Sequence, residues 1–181
     1  EKNAHDFASI VLPSVKKPKV TVFDFSAAGP EAAQWASLDA AEAEARIMAR
    51  IGSEGAAFGI GLYGEDRGIY RGEAYETAIE GARRSVHLGV DIFAPAGEPV
   101  SAPFAGKVAF IHDDAVAFGF GPTVLLEHEI EGGLRFWTLY GHLSRDSVAK
   151  LSQGQAIAKG EVFATFGSAD ENGNWAPHLH F

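Results

Sequence analysis

The stretch "HLGVDIFAPAGEPVSAPFAGKV" (residues 87–108) mixes short apolar runs with glycine and proline, and it carries two candidate site residues. His87 and Asp91 are four positions apart, but the glycine and β-branched residues between them disfavour a helix. On a straight strand their Cα atoms would lie about 13 Å apart, too far to hold one ion. A bend at Gly89 would bring the side chains together, because glycine permits a bulge there. The stretch therefore predicts β structure in which an imidazole meets a carboxylate.

The residues that follow predict a series of short strands. Four runs have the composition of strands: "KVAFIHD" (107–113), "TVLLEHE" (123–129), "LRFWTLYGHL" (134–143) and "EVFATFGS" (161–168). Their connections are rich in glycine, and "EGG" (131–133) predicts a hairpin turn between two of them. We therefore expect the C-terminal two-thirds of the chain to be mainly β, with the strands in one antiparallel sheet system.

The first third of the chain has a different pattern. "KVTVFDF" (19–25) alternates like a single strand. "SLDAAEAEARIMARIG" (37–52) places its apolar residues at helical spacing, with Ser37 as a possible cap and Gly52 as a possible end. We therefore expect an N-terminal arm, residues 1–57, that contains one helix.

Composition excludes several classes of function. The chain has 181 residues, 46% of them hydrophobic, and a formal net charge of −9, with no basic run. One folded domain is expected, and binding to nucleic acid or to an anionic membrane is not. No stretch approaches the roughly 20 apolar residues needed to span a bilayer. Since there is no cysteine, any bound metal must use His, Asp or Glu, and both reducing and oxidising compartments remain open.

Three of the seven histidines have no features of a site. His5 is expected to be solvated. His112 and His128 lie in strand patterns beside carboxylates, and we expect both on a solvent-facing side of the sheet. "HEIEG" (128–132) has Gly132 where the helical zinc-protease signature requires a second histidine, so that signature is absent.

The other histidines occur where strands are expected to end or to alternate. His142, in "LYGHLS" (139–144), follows a glycine at a strand end, where an imidazole can project into a cleft. His178 and His180 would share one face of a strand about 6–7 Å apart, a geometry that suits one metal ion and one catalytic neighbour. Taken alone, this pair is better explained as two histidines on a polar sheet face.

Three ordered motifs together resemble the lysostaphin-type (LytM-domain) zinc endopeptidases. They are His-x-x-x-Asp in "HLGVD" (87–91), a lone histidine in "LYGHLS" (139–144) and His-x-His in "PHLHF" (177–181). The resemblance runs from about Gly59 to Phe181. It implies a mainly β fold, an antiparallel sandwich or barrel-like sheet of the duplicated hybrid motif type, for a domain at residues 58–181.

The resemblance also implies roles for five residues. One Zn²⁺ per chain would be held by His87, Asp91 and His180, with His142 and His178 as catalytic histidines that do not bind the metal. Three nitrogen or oxygen ligands with an open position are typical of catalytic zinc sites. Such a site would activate water, and a neutral imidazole could take its proton. The division of labour between His142 and His178 stays open.

The substrate implied by the resemblance is a peptide, most often a bacterial cell-wall stem or cross-bridge. The candidates for the walls of its groove are the stretch "FGFGPT" (118–123), Trp137, Tyr140 and Trp175. A place in the core is an equally good interpretation of Phe118 and Trp137. Residues 63–85 resemble a loop at the rim of the cleft, with Arg83 and Arg84 as possible contacts for a carboxylate.

The resemblance leaves some alternatives open. The family's fold normally continues past His-x-His, so we expect a chain cut from a longer protein, whose location is the cell envelope or periplasm if it cuts peptidoglycan. A module of a larger soluble protein with a regulatory role, in the cytoplasm, is one alternative. A histidine phosphocarrier of similar sheet architecture is another, and zinc content would discriminate. A biotinyl carrier lacks support, because Lys159 is not flanked by methionines.

Overall fold

The computed structural model describes residues 7–11, 18–70, 75–80, 82–114 and 116–181. Its helices and strands, in chain order, are β1 (Val20–Phe23), α1 (Ala32–Trp35), α2 (Ala40–Ser53), β2 (Phe58–Gly61), β3 (Asp91–Phe93), β4 (Pro99–Ser101), β5 (Gly106–Asp113), β6 (Pro122–Ile130), β7 (Leu134–Tyr140), α3 (Arg145–Val148), β8 (Ala156–Ile157), β9 (Val162–Thr165) and β10 (His178–His180). The prediction of a mainly β chain with a helix in its first third is confirmed. The expectation for His5 lies outside the described residues.

Two four-stranded sheets and one strand pair organise the chain. The first sheet has the order β1-β2-β3-β10, the second has the order β7-β6-β5-β8, and β4 pairs with β9. Among the described strands, only β1 and β2 run parallel. The predicted turn at 131–133 joins β6 to β7, and both Gly132 and Gly133 have positive φ angles, which glycine adopts without strain.

The predicted helix at 37–52 is present as α2, displaced by a few residues. Its cap is Asp39 instead of Ser37. The Asp39 carboxylate accepts a hydrogen bond from the Glu42 N–H at 2.9 Å, and the Glu42 side chain accepts one from the Asp39 N–H at 3.0 Å. This reciprocal arrangement satisfies two backbone donors at the start of the helix, which the Ser37 hydroxyl does not do, because it donates to a carbonyl of α1.

Two clusters of buried apolar side chains hold these elements together. The larger lies among the strands of the β region and includes Val100, Val108, Leu126, Leu143, Ile157 and Leu179. The smaller one joins the N-terminal arm to the first sheet and includes Phe23, Phe25, Trp35, Ile47, Ile51 and Phe93. The arm thus supplies an edge strand, β1, and a helix that packs on it. The boundary at residue 57 remains a prediction.

The prediction that His128 faces solvent is wrong. His128 is fully buried, donates from Nδ1 to the Ala105 carbonyl at 3.0 Å and lies 2.7 Å from the Thr138 hydroxyl through Nε2. The cause is the alternation of β6, which turns this residue to the same covered face as Val124 and Leu126. By contrast, the other strand histidine, at position 112, is exposed as expected.

None of the helices in the described part of the chain is long and apolar enough to cross a membrane. The longest, α2, has 14 residues.

Candidate active site

Two strands of the first sheet bring three motif residues together. Asp91 begins β3 and His180 ends β10, and these two residues are direct partners in the antiparallel register. His87 reaches the same point because the chain bends at Gly89, as the sequence predicts. Oδ1 of Asp91 lies 3.0 Å from Nε2 of His87 and 3.1 Å from Nδ1 of His180. All three side chains are buried.

The bend has a second function, which is to leave room for an imidazole. A Cβ atom at position 89 would lie 2.5 Å from Cε1 and Nε2 of His180 and 3.0 Å from the Phe181 carbonyl oxygen. Real Cβ atoms do not approach other atoms so closely, so Gly89 is the residue that lets His180 lie against the loop. Gly89 therefore has two effects on the cluster. It permits the bend that brings His87 to Asp91, and it leaves space beside the backbone for the His180 ring.

The cluster of His87, Asp91 and His180 has the donor set of a zinc site. One ligand atom from each residue lies within 4.8 Å of the other two. Two imidazole nitrogens and a carboxylate oxygen suit Zn²⁺, whose ligands in a tetrahedral site would lie about 3.4 Å from one another. His87 donates from Nδ1 to the Leu62 carbonyl at 2.8 Å. That hydrogen bond leaves the lone pair on Nε2, the atom that faces Asp91, so the residues fit a metal ion.

The Asp91 carboxylate also has a cationic neighbour that the motifs do not include. Nη1 of Arg67 donates to Oδ2 of Asp91 at 2.6 Å, and Arg67 also pairs with Glu65 at 2.9 Å. Burial would raise the pKa of Asp91, but the neighbouring histidines, His178 first, and the Arg67 guanidinium hold that pKa well below its ordinary value. The carboxylate is therefore ionised and ready to bind a cation.

Sequence reasoning missed Arg67 and Glu65. Both lie in "GEDRG" (64–68), within the stretch that the sequence assigns to a rim loop with Arg83 and Arg84. A mixed-charge run of this kind usually lies in solvent, and only its burial here distinguishes it: the side chains of Arg67 and Glu65 are 4% and 7% exposed.

The other two motif histidines form a pair beside the cluster. The ring centroids of His142 and His178 are 4.2 Å apart, and Nε2 of His178 lies 3.7 Å from Oδ1 of Asp91. His142 donates from Nδ1 to the Asn172 carbonyl at 2.9 Å, and His178 donates from Nδ1 to the Ala176 carbonyl at 2.7 Å. Both Nδ1 atoms are thus occupied as donors, so each Nε2 can accept a proton.

Backbone strain and burial distinguish His142. Its φ angle is +63°, in the left-handed region that residues other than glycine rarely adopt. Hydrogen bonds on both sides hold it there, from its N–H to the Phe120 carbonyl and to its own carbonyl from the Gly167 N–H. Burial, and then the neighbouring His178, lowers the pKa of His142 well below the ordinary histidine value, and burial also lowers the pKa of His178. Both imidazoles are therefore neutral at pH 7.

A groove of about 690 Å³ opens onto these residues. Phe118 and Trp175 line it with edge-to-face ring contact, and Tyr70 stacks on Tyr75, whose hydroxyl donates to the Phe118 carbonyl at 2.8 Å. Arg84 also lines the groove. The aromatic rings give the groove one continuous apolar wall that leads to the five motif residues.

Two of the aromatic candidates lie elsewhere. Trp137 is half exposed on β7, outside the groove, and Tyr140 is a core residue whose ring packs on Phe163. The two residues are three positions apart on β7 and therefore face opposite sides of the sheet. Arg83 contacts the Tyr70 backbone carbonyl and is not among the described residues that line the groove.

The fold, with a histidine and aspartate cluster at the end of one sheet, has the features of a metallopeptidase domain. Residues 85–181, more than half of the chain, match the description Peptidase family M23. The chain belongs to this family, and the prediction of a lysostaphin-type metalloendopeptidase domain is confirmed. The histidine phosphocarrier alternative is set aside on the same ground.

Two curated proteins are similar to this chain over somewhat more than half of its length. The uncharacterized lipoprotein YgeR of Escherichia coli (strain K12) is 31% identical over 107 residues, which cover 59% of this chain and 36% of the lipoprotein. The DD-carboxypeptidase/endopeptidase Mpg of Neisseria meningitidis serogroup B is 36% identical over 96 residues, 53% of this chain and 19% of Mpg. The chain therefore spans 36% of the length of YgeR and 19% of the length of Mpg, well under two thirds of either.

Among solved structures, the catalytic domain of the antimicrobial peptidase lysostaphin from Staphylococcus simulans is 28% identical to this chain. The similarity covers 59% of this chain and 70% of that domain, with a TM-score of 0.39.

Proposed function

We propose that this chain is a zinc-dependent endopeptidase domain that hydrolyses peptide bonds in bacterial cell-wall peptides, either stems or cross-bridges of peptidoglycan. The observation that carries the proposal is a neutral histidine pair, His142 and His178, beside an ionised cluster that fits a metal ion: the two rings are 4.2 Å apart, and Nε2 of His178 lies 3.7 Å from Oδ1 of Asp91. Hydrolysis of an amide needs both an electrophile for the carbonyl oxygen and a base for water.

His87, Asp91 and His180 would hold one Zn²⁺ per chain. When bound, the ion supplies Lewis acidity toward the scissile carbonyl and lowers the pKa of the attacking water toward neutrality. The residues around the site hold the three ligand side chains in fixed orientations. The hydrogen bond from His87 to the Leu62 carbonyl fixes the tautomer of that imidazole, and the strand pairing of β3 with β10 fixes the other two side chains.

His142 and His178 would accept the proton of the attacking water and pass it on. Each imidazole is neutral, donates from Nδ1 to a backbone carbonyl and can therefore accept the proton of water at Nε2. The imidazolium that results can donate the same proton to the leaving amine, or donate a hydrogen bond to the oxygen on which negative charge develops. Burial excludes bulk water from both rings, which makes each of these hydrogen bonds stronger.

Peptidoglycan as the substrate is supported by relatives and by the groove. Mpg is a DD-carboxypeptidase/endopeptidase and the lysostaphin domain comes from an antimicrobial peptidase. A groove with an aromatic wall on one side admits an extended peptide of small residues. A cell-envelope location follows from this substrate, and YgeR is itself a lipoprotein.

The test is to load the purified chain with zinc and incubate it with purified sacculi and with glycine-rich peptides. Elemental analysis should find about one Zn²⁺ per chain, since one ligand set is complete, and mass spectrometry should find new peptide fragments. The matched control is Asp91→Ala, which should bind no zinc and release nothing. Absence of zinc after reconstitution would overturn the metal site, and cleavage of the free peptides without cleavage of sacculi would overturn the cell-wall substrate.

A further inference from the structure

The Arg67 guanidinium is a buried cation beside the residues that fit a metal ion. Its side chain is 4% exposed, and it lies 2.6 Å from Oδ2 of Asp91. A positive charge in this position repels a metal cation, and at low dielectric that repulsion is considerable. Arg67 also lies outside residues 85–181, which match the family. The proposed function does not account for it.

The backbone ties Arg67 to the segment that carries His87. The Gly64 N–H donates to the His87 carbonyl at 2.7 Å, the His87 N–H donates to the Glu65 carbonyl at 2.8 Å, and the Arg67 N–H donates to the Ser85 carbonyl at 2.8 Å. These three hydrogen bonds, which flank an isolated antiparallel bridge between Asp66 and Val86, tie residues 64–67 to residues 85–87. A displacement of this segment would therefore also displace a metal ligand.

The guanidinium itself is held on every side. It lies over the Phe25 ring at 5.2 Å and over the Tyr70 ring at 5.6 Å. Below it, a Cβ atom at Gly61 would come within 2.9 Å of Nη2 of Arg67 and 3.3 Å of Cβ of Asp91. A larger residue at this position would force the Arg67 guanidinium to shift, so Gly61 leaves the space that the ion pair occupies.

The two oxygens of Asp91 consequently have separate partners. Oδ1 faces the two histidines at 3.0 and 3.1 Å, while Oδ2 faces the guanidinium at 2.6 Å. Glu65 accepts from Nε and Nη2 of Arg67 at 3.0 and 2.9 Å and offsets its charge. We propose that Arg67, braced by Glu65, is a positioning residue that occupies Oδ2 of Asp91, so that Asp91 offers the metal one oxygen in a fixed orientation.

This inference rests on the proposed metal site. It predicts whether zinc affinity rises or falls when Arg67 is removed. If Arg67 acted on the metal only through its charge, its removal would tighten zinc binding. If it positions Asp91, its removal weakens zinc binding, because a free carboxylate must be ordered when the ion binds. Loss of partners that hold a metal ligand in place typically weakens metal affinity about 10–100-fold.

The experiment measures the zinc dissociation constant of the full chain by competition with a chromophoric chelator. We expect Arg67→Met to raise it about 10–100-fold, and Arg67→Lys, which keeps the charge but loses the fork of donors, to restore part of the loss. Arg46→Met is the control: Arg46 is another arginine that lies over a ring, that of Trp35 at 5.0 Å, and pairs with a glutamate, Glu31, at 2.9 Å. The dissociation constant of this control should be unchanged.

A second readout is the visible spectrum of the protein loaded with Co²⁺, which reports the ligand geometry. It should change in Arg67→Met and stay constant in Arg46→Met. If Arg67→Met fails to fold because Glu65 is left unpaired, Glu65→Gln/Arg67→Met removes both charges, and it should show the same weakened affinity and altered spectrum. Equal or tighter zinc binding in the folded variants overturns the role of Arg67 alone, whereas a wild-type chain that binds no zinc overturns the proposed function as well.

Discussion

The site contains two pairs of histidines, and the two pairs differ in their electrostatic surroundings. On one side, His87 and His180 face an ionised carboxylate that Arg67 pairs with. On the other, the rings of His142 and His178 lie 4.2 Å apart, each donates to a backbone carbonyl, His178 is 3.7 Å from the same carboxylate, and burial keeps both neutral. The proposed roles of these imidazoles, as ligands of a cation or as proton acceptors, thus follow from their neighbours.

The contrast is sharpest within one strand. His178 and His180 are two positions apart on β10, and both are buried. His180 lies 3.1 Å from the Asp91 carboxylate. His178 is 3.7 Å from it and stacks on the Phe93 ring at 5.0 Å. His180 also has an aromatic neighbour, the Phe120 ring at 4.9 Å. The two proposed roles therefore differ by the distance to the Asp91 carboxylate, 3.1 Å against 3.7 Å.

The largest effect is expected from the cluster itself. In His87→Ala, Asp91→Ala and His180→Ala, zinc content should fall from about one ion per chain to nearly none, and peptide cleavage should disappear with it. Elemental analysis of each purified variant, measured beside its cleavage of sacculi, tests this. A variant of this group that retains full zinc would remove its residue from the ligand set.

The histidine pair should lose catalysis and keep the metal. We expect His142→Ala and His178→Ala to hold most of their zinc while cleavage slows by about 10²-fold or more, because each removes a proton acceptor and donor and no ligand. Zinc stoichiometry and cleavage rate are measured on the same samples. If His178→Ala sheds its metal while His180→Ala retains it, the two roles on β10 are reversed.

A smaller effect is expected from Gly89→Ala, which alters the cluster without removing a donor. The added methyl group would lie 2.5 Å from the His180 ring, so that ring must move. We expect zinc affinity to fall about 10-fold, as for other changes next to a metal ligand. Gly52→Ala in α2 is the control, because nothing lies within 4 Å of its added Cβ. Chelator competition should find no change in that variant.

The smallest effect is expected on the pH dependence of stability. It arises from the lowered pKa values of His142 and His178. The pKa of His142 in the folded chain lies below the ordinary value of 6.5, so below pH 6.5 the unfolded chain binds a proton that the folded chain does not. Stability of the metal-free protein is therefore full above pH 6.5 and falls as the pH decreases, by up to about 1.4 kcal/mol for each unit that the pKa is lowered.

Thermal unfolding of the metal-free chain between pH 8 and pH 5 tests this. The comparison is with His142→Asn, since asparagine tolerates the left-handed backbone at this position. The melting temperature of the variant should depend less steeply on pH than that of the wild type. Parallel curves would show that His142 is not the group responsible.

The sequence by itself determined the local elements and the order of the motifs. Apolar spacing predicted α2 within three residues at its start, and the strands β5, β6 and β7 within one residue at their starts. The spacing of His87 and Asp91, with a glycine between them, predicted the bend that joins them. These features depend on neighbouring residues in the chain, and periodicity and glycine content report on such neighbours directly.

Only the tertiary structure decided which faces are covered and which charges meet. Strand alternation indicates which residues lie on the same face as His128 and as Trp137. It does not indicate that the face of His128 is buried while Trp137 is exposed. The pairing of Arg67 with Asp91 joins residues 24 positions apart across three chain segments. Its partners, its burial and the space beside Gly61 arise from long-range packing, which leaves no periodic signal in the sequence.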